Sequence, residues 1–351
     1  MVRKSTTLGL AVLALLAAAA LAPLIAGSAM AADSVAGKRI SINLASRLLT
    51  VYDGESRLGM YPVGPGKVST PTPTGTFEVY SKIENPEWID PKDMKKRVPS
   101  GEANPLGYRW LGFYDTYGIH GTNMPGSIGW YVSNGCIRMY EDDVEKVFEM
   151  VALGAIVEIY YNRLVVERDA GHTVSYYIYP DGYGIQPLDV RAIDESLSWY
   201  GVSDFESEEA MAAKLEAADG NPTIVGAAYD MRFRNDLLGA KGIRHDGVFY
   251  LPIAVLAKAT GLAAHWDDQT GLVTTPFGQA QGYLKKSRVY VNSDDLQRLF
   301  YLKGQLTEAQ EYELADDWQE SLKAAWSRRE LYVDGHFMEF VKALYNRIWE
   351  T

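Results

Sequence analysis

Ser133-Asn134-Gly135-Cys136-Ile137-Arg138-Met139 carries the only cysteine of the 351 residues, and Ile119-His120-Gly121-Thr122 sets a histidine sixteen positions before it. A lone thiol cannot form an internal disulfide, and in an oxidising compartment it is a liability unless it does chemistry. An unperturbed thiol has a pKa of roughly 8.5, so only a few per cent is thiolate at neutral pH. A neighbouring imidazole that takes the proton converts it to a nucleophile. The pairing of Cys136 with His120 therefore predicts a catalytic thiol, drawn toward an ion pair with the imidazole. Gly135 permits a sharp turn, so the backbone N–H groups of Gly135 and Cys136 are candidates for an oxyanion hole. Arg138 is a fixed cation suited to a substrate carboxylate, or to a local acid such as Glu141 or Asp142. Ser133 and Asn134 read as turn formers beside the thiol.

Moving outward from this centre, residues 39–63 alternate like strands. Ile40, Ile42 and Leu44 precede Leu49 and Val51, and Asp53-Gly54 marks a tight turn before a further strand over 58–63. Gly64-Pro65-Gly66-Lys67 is not a phosphate loop, because Tyr61 stands where its first glycine belongs and Val68 where Ser or Thr belongs. Residues 84–112 are rich in Pro, Gly and charge and show no periodicity, which predicts a long surface excursion of the kind that covers binding sites. Val144, Val147, Phe148 and Val151 recur at helical spacing over 141–153, Gly154 ends that helix, and 155–161 returns to strand.

Arg3 and Lys4, an apolar run from Leu8 to Ile25 and Ala29-Met30-Ala31 together read as an export signal, residues 1–31. The run is also long enough, at about eighteen residues, to act as an anchor, but Pro23, Gly27 and the small-residue site favour cleavage. The expected location is the periplasm or cell-wall space. With 45 acidic against 34 basic residues the chain is net acidic, which argues against nucleic acid or an anionic polymer held by charge alone. His172, His245, His265 and His336 lie far apart without metal-ligand spacing, so no metal and no cofactor is expected.

Ile119-His120-Gly121-Thr122-Asn123, Ser127-Ile128-Gly129 and Ser133-x-Gly135-Cys136-Ile137-Arg138-Met139 together resemble the L,D-transpeptidase catalytic domain of the YkuD type. The resemblance runs over about 38–161 and includes Thr72-Pro73-Thr74-Gly75 and Asn104-Pro105-Leu106-Gly107. It implies a β-rich, sandwich-like catalytic domain that crosslinks peptidoglycan by cysteine acyl transfer. By that likeness Cys136 attacks a tetrapeptide stem with release of D-alanine, and His120 is the base. The Gly121 carbonyl orients the imidazole, Arg138 meets the donor stem, and carbapenems acylate the thiol. Many members have histidine where this chain has Asn134, which orients neighbours but carries no proton. The alternatives are an L,D-carboxypeptidase that trims stems and a catalytically silent wall-binding protein.

Residues 162–351 differ in texture, and the expectation is a multidomain chain. Residues 162–224 read as an aromatic connector with helices, and 225–351 as an α+β accessory domain that could contact cell-wall glycan. Segments 245–260, 287–301 and 329–349 share a turn-strand-helix pattern suggesting a repeat. Thr307-Glu308-Ala309-Gln310 reads as a capping box opening a further helix. Residues 243–300 also resemble, more weakly, the copper amine oxidase N-terminal-like domain, without copper ligands.

Overall fold

A computed structural model describes residues 37–91 and 93–317. Pairing starts where the alternation predicts it: β1 (Lys38–Asn43), β2 (Leu48–Asp53) and β3 (Ser56–Pro62) form an antiparallel meander. Ile40, Ile42, Leu49 and Val51 are wholly buried, and Gly54 takes the left-handed φ of +56° that the β2–β3 turn needs. The chain continues through β4 (Gly75–Glu78), β5 (Ser81–Glu84), β6 (Trp88–Asp90), β7 (Asp93–Val98), β8 (Arg109–Tyr114), β9 (Tyr117–His120), β10 (Ile137–Arg138), α1 (Glu141–Met150) and β11 (Ile156–Tyr160).

Nine of these strands make two sheets, ordered β3-β2-β1-β11-β4 and β10-β9-β8-β5, and β6 and β7 pair only with each other. Both contribute to one core: Ile40, Ile42, Val157 and Ile159 from the first meet Leu111, Phe113, Ile119 and Ile137 from the second. α1 adds Val144, Val147 and Phe148, the apolar stripe read from sequence. The helix stops three residues short of the expected end, because Val151 is already extended and buried.

The excursion over 84–112 holds more structure than its sequence shows. β6 and β7 pair as a hairpin, but Asp93 to Arg97 are exposed on both faces, so no hydrophobic period marks them. Asn104 pins the hairpin's base. It is fully buried, and its Nδ2 donates to the carbonyls of Pro86, Val98 and Pro99 at 2.7, 3.2 and 3.2 Å.

The later elements are β12 (Leu164–Arg168), β13 (Thr173–Ile178), α2 (Val190–Tyr200), α3 (Glu208–Ala217), β14 (Thr223–Phe233), β15 (Asp236–His245), β16 (Val248–Pro252), α4 (Ile253–Thr260), β17 (His265–Asp267), β18 (Leu272–Thr275), β19 (Gly278–Lys285), β20 (Arg288–Asn292), α5 (Leu296–Phe300), β21 (Leu302–Leu306) and β22 (Tyr312–Asp316). Their strands join in one eleven-stranded sheet. Residues 162–224, expected to be a connector with helices, supply α2 and α3 but also β12 and β13, and β13 pairs with β14. They thus share a sheet with the residues beyond 225. Two strand-helix units of the suggested repeat form as β16–α4 and β20–α5, while the third, at 329–349, lies outside the described residues, as does 1–31.

The capping box at Thr307 is a correction. Thr307 to Gln310 form the turn between β21 and β22, with Gln310 at φ +59° and the Thr307 Oγ1 bonded to both backbone groups of Glu311. A left-handed residue three positions after the cap cannot continue a helix, and the antiparallel ladder takes the backbone hydrogen bonds instead.

The two regions meet beside the thiol loop. Tyr183 Oη donates to the Gly66 carbonyl at 2.7 Å, and Asn43 and Asn162 exchange side-chain and backbone bonds at 2.8 and 3.0 Å.

Candidate active site

Strand alternation alone explains how this site is assembled. β9 lies between β8 and β10, with Trp110 opposite His120, Leu111 opposite Ile119, Ile137 opposite Ile119 and Arg138 opposite His120. Leu111, Ile119 and Ile137 are wholly buried in the core. Period two therefore turns Trp110, His120 and Arg138 to the other face, and Cys136 lies in the loop immediately before β10. The sixteen-residue interval closes because β10 returns parallel to β9.

His120 is only 4% exposed, and its Nδ1 lies 2.6 Å from the Gly121 carbonyl. A carbonyl only accepts, so the chemistry of this contact assigns the proton to Nδ1 and leaves Nε2 with a lone pair. Trp110 stacks on the ring at 5.7 Å and 19°. Gly118 makes room for that indole, since a Cβ there would overlap it. Burial holds the imidazole down at about 4, the Gly121 bond opposes this, and the Arg138 charge adds to it.

Cys136 is partly exposed, with Sγ 3.9 Å from the Thr116 carbonyl. Burial raises the thiol above its ordinary range, while the Gly118 backbone and Arg138 pull it back. Among the described residues no hydrogen bond joins Sγ to the imidazole. Desolvation raises the thiol and lowers the imidazole, and both shifts work against the thiolate–imidazolium pair expected from the sequence.

The loop holding the thiol is tightly braced. Gly135 has φ +116°, and a Cβ at that position would overlap the Tyr117 ring. Ser133, 2% exposed, accepts from the Gly135 N–H at 3.0 Å and donates to the Cys136 carbonyl at 2.5 Å. The Gly135 N–H, one of the two groups expected to serve an oxyanion, is thereby engaged within the loop at rest. Ser133 also receives the Lys67 N–H at 3.0 Å and the Thr70 hydroxyl at 3.2 Å on its carbonyl. Asn134 turns away to accept from Lys67 Nζ at 3.0 Å.

Arg138 is bonded through its backbone to Gly64 in both directions, at 2.9 and 3.0 Å. Its side chain lines an open pocket of about 610 Å³ with Met124, Gly126, Ser127, Trp130 and Val132. Arg138 Nε and Ser127 Oγ are buried there without a hydrogen-bond partner among the described residues. Neither Glu141 nor Asp142 takes up the guanidinium. Glu141 instead accepts from the N–H groups of Tyr108 at 3.1 Å and Thr122 at 2.6 Å.

Lys67 and Tyr117 thus stand beside the thiol loop without having been legible as site residues. The sequence offers Glu141 only as a partner for Arg138, not for the histidine strand. The one available signal was the pair of glycines, Gly107 and Gly121, whose missing side chains leave room for the Glu141 carboxylate.

Residues 37–159 match the family model described as L,D-transpeptidase catalytic domain, YkuD. "Putative L,D-transpeptidase YqjB" of Bacillus subtilis is 40% identical over 127 residues, covering 34% of this chain and 69% of that protein. "Probable L,D-transpeptidase YcfS" of Escherichia coli is 35% identical over 137 residues, covering 34% of this chain and 43% of that protein, so less than half of its length is matched. Among solved structures, an L,D-transpeptidase from Mycobacterium smegmatis is 22% identical with a TM-score of 0.31, covering 35% of this chain and 58% of that one. That superposition is too loose to carry weight.

Proposed function

The chain belongs to the L,D-transpeptidase catalytic domain family through residues 37–159, and from that premise we propose that Cys136 carries out acyl transfer between peptidoglycan stem peptides. The observation that carries the reading is the 2.6 Å contact of His120 Nδ1 with the Gly121 carbonyl, which leaves Nε2 as a base for the thiol of the loop that leads into β10, the strand paired with β9.

In the proposed reaction Sγ attacks the carbonyl before the terminal D-alanine of a tetrapeptide stem. His120 takes the thiol proton during the attack, since neither group ionises readily beforehand. The C–S bond forms, the C–N bond breaks, and the proton passes to the departing amine of D-alanine. An amine of a second stem then attacks the thioester, restoring C–N and returning a proton to sulfur. The Cys136 N–H serves the oxyanion, worth roughly 3–4 kcal/mol for a well-aimed donor. The guanidinium of Arg138, without an acidic partner among the described residues, receives a stem carboxylate in its pocket. A carbapenem carbonyl enters the same path and stops at the acyl-enzyme.

The protein acts after export, in the periplasm or cell-wall space. Residues 38–161 form the catalytic unit, and the later strands are an accessory region suited to wall glycan. Incubation with tetrapeptide muropeptides, read by mass spectrometry, tests this. Crosslinked dimers with free D-alanine are expected. Tripeptides alone would make water the acceptor and the activity a carboxypeptidase, and unchanged muropeptides would overturn acyl transfer altogether.

A further inference from the structure

The peptide unit between Gly121 and Thr122 is held at both ends. Its carbonyl receives the His120 Nδ1 proton at 2.6 Å, and its N–H donates to Glu141 Oε1 at 2.6 Å. Because that amide is one rigid plane, its carbonyl cannot turn without breaking the bond at its N–H. Glu141 is itself fixed. It stands at the first position of α1, its other oxygen accepts from the Tyr108 N–H at 3.1 Å, and its carboxylate lies against Gly107 and Gly121, where any Cβ would overlap it.

We propose that Glu141 is a positioning residue for His120, acting through the Gly121–Thr122 peptide to fix the tautomer and orientation of the imidazole. The role deepens the acyl-transfer reading and rests on it for its catalytic meaning. An acid that orients a catalytic histidine usually touches the ring directly. Here a peptide group is interposed. The anion on the N–H polarises the amide, which makes its carbonyl a better acceptor and Nε2 a better base. Both carboxylate oxygens accept from N–H groups, which is the bonding pattern of the ionised form.

The charges around this relay are few. Arg109 and Glu145 flank Glu141 and pair with each other at 3.7 Å, while the Arg138 charge acts on both His120 and the Cys136 thiol. Burial pushes the Glu141 carboxyl above the usual carboxylate range, and the two backbone donors and Arg109 oppose that push.

The test uses the full chain with Glu141→Gln, which keeps the shape and one acceptor, and Glu141→Ala, which keeps neither. Nitrogen-15 NMR of the imidazoles, with His120 assigned by its loss in His120→Gln, reads the tautomer independently of any enzyme activity. The expected wild-type signal is protonated Nδ1 with bare Nε2. Glu141→Ala is expected to mix the tautomers, and Glu141→Gln to protonate its imidazole at lower pH than wild type. Acylation of Cys136 by a carbapenem, read by intact mass, is expected to slow by ~10–100-fold in Glu141→Ala, as for other groups that orient a histidine, and by less in Glu141→Gln. If Glu141→Ala does not fold, Glu141→Gln decides the matter alone. Tautomer and titration unchanged from wild type in the folded variants would overturn the proposal. A wild-type protein that never acylates would overturn the transferase reading instead, and the NMR comparison would still judge Glu141.

Discussion

The resting state of the Cys136–His120 pair can be tested by alkylation against pH. Burial raises the Cys136 thiol above its ordinary range and holds the His120 imidazole at about 4, below its ordinary 6.5, so the imidazole alone opposes the transfer by roughly 3 kcal/mol. Both shifts run against the ion pair, so a neutral thiol and a neutral imidazole are expected at rest. Iodoacetamide reacts with thiolate, and below the thiol pKa the thiolate fraction climbs about tenfold per pH unit. The alkylation rate of Cys136, the only thiol present, is therefore expected to rise about tenfold per unit from pH 6 to 8. His120→Ala should leave that slope in place. A rate that is flat from pH 5 to 8, and becomes pH-dependent only in His120→Ala, would show a preformed ion pair and refute the reasoning from burial.

Other consequences are as direct. Ser133→Ala strands the Gly135 N–H and leaves the Cys136 carbonyl without its donor, so a loss of about 1–3 kcal/mol in denaturant unfolding is expected, with slower acylation. Gly135→Ala forces a side chain into the Tyr117 ring at a left-handed φ, and should cost about 1–3 kcal/mol and most of the acylation rate; full activity would show that the loop tolerates rearrangement. Because His120 is depressed from 6.5 to about 4 in the fold, the unfolded chain binds the proton first as pH falls. Stability is then complete above pH 6.5 and declines toward pH 4 by up to ~3 kcal/mol, a slope that His120→Gln should lack when the two are compared by urea titration. Cys136→Ala should form no carbapenem adduct, and an adduct that persists would move the nucleophile elsewhere.

The sequence by itself determined the elements whose chemistry is local. Ile40, Ile42, Leu49 and Val51 announce half-buried strands by alternation, Val144 to Val151 announce a helix by their spacing, and the glycine-flanked cysteine and histidine announce a thiol site. These signals depend on near neighbours along the chain, so they survive without coordinates. Only the tertiary structure decided what the groups meet. The β6–β7 hairpin has no buried face and left no period to read, and the turn at Thr307 imitated a helix cap until β22 claimed its backbone. The protonation of the pair depends on water excluded by β8, β9 and β10 together, and the service of Glu141 depends on two glycines, 34 and 20 residues before it, meeting at one carboxylate. Desolvation and long-range hydrogen bonding are properties of the packed molecule, and no run of residues states them.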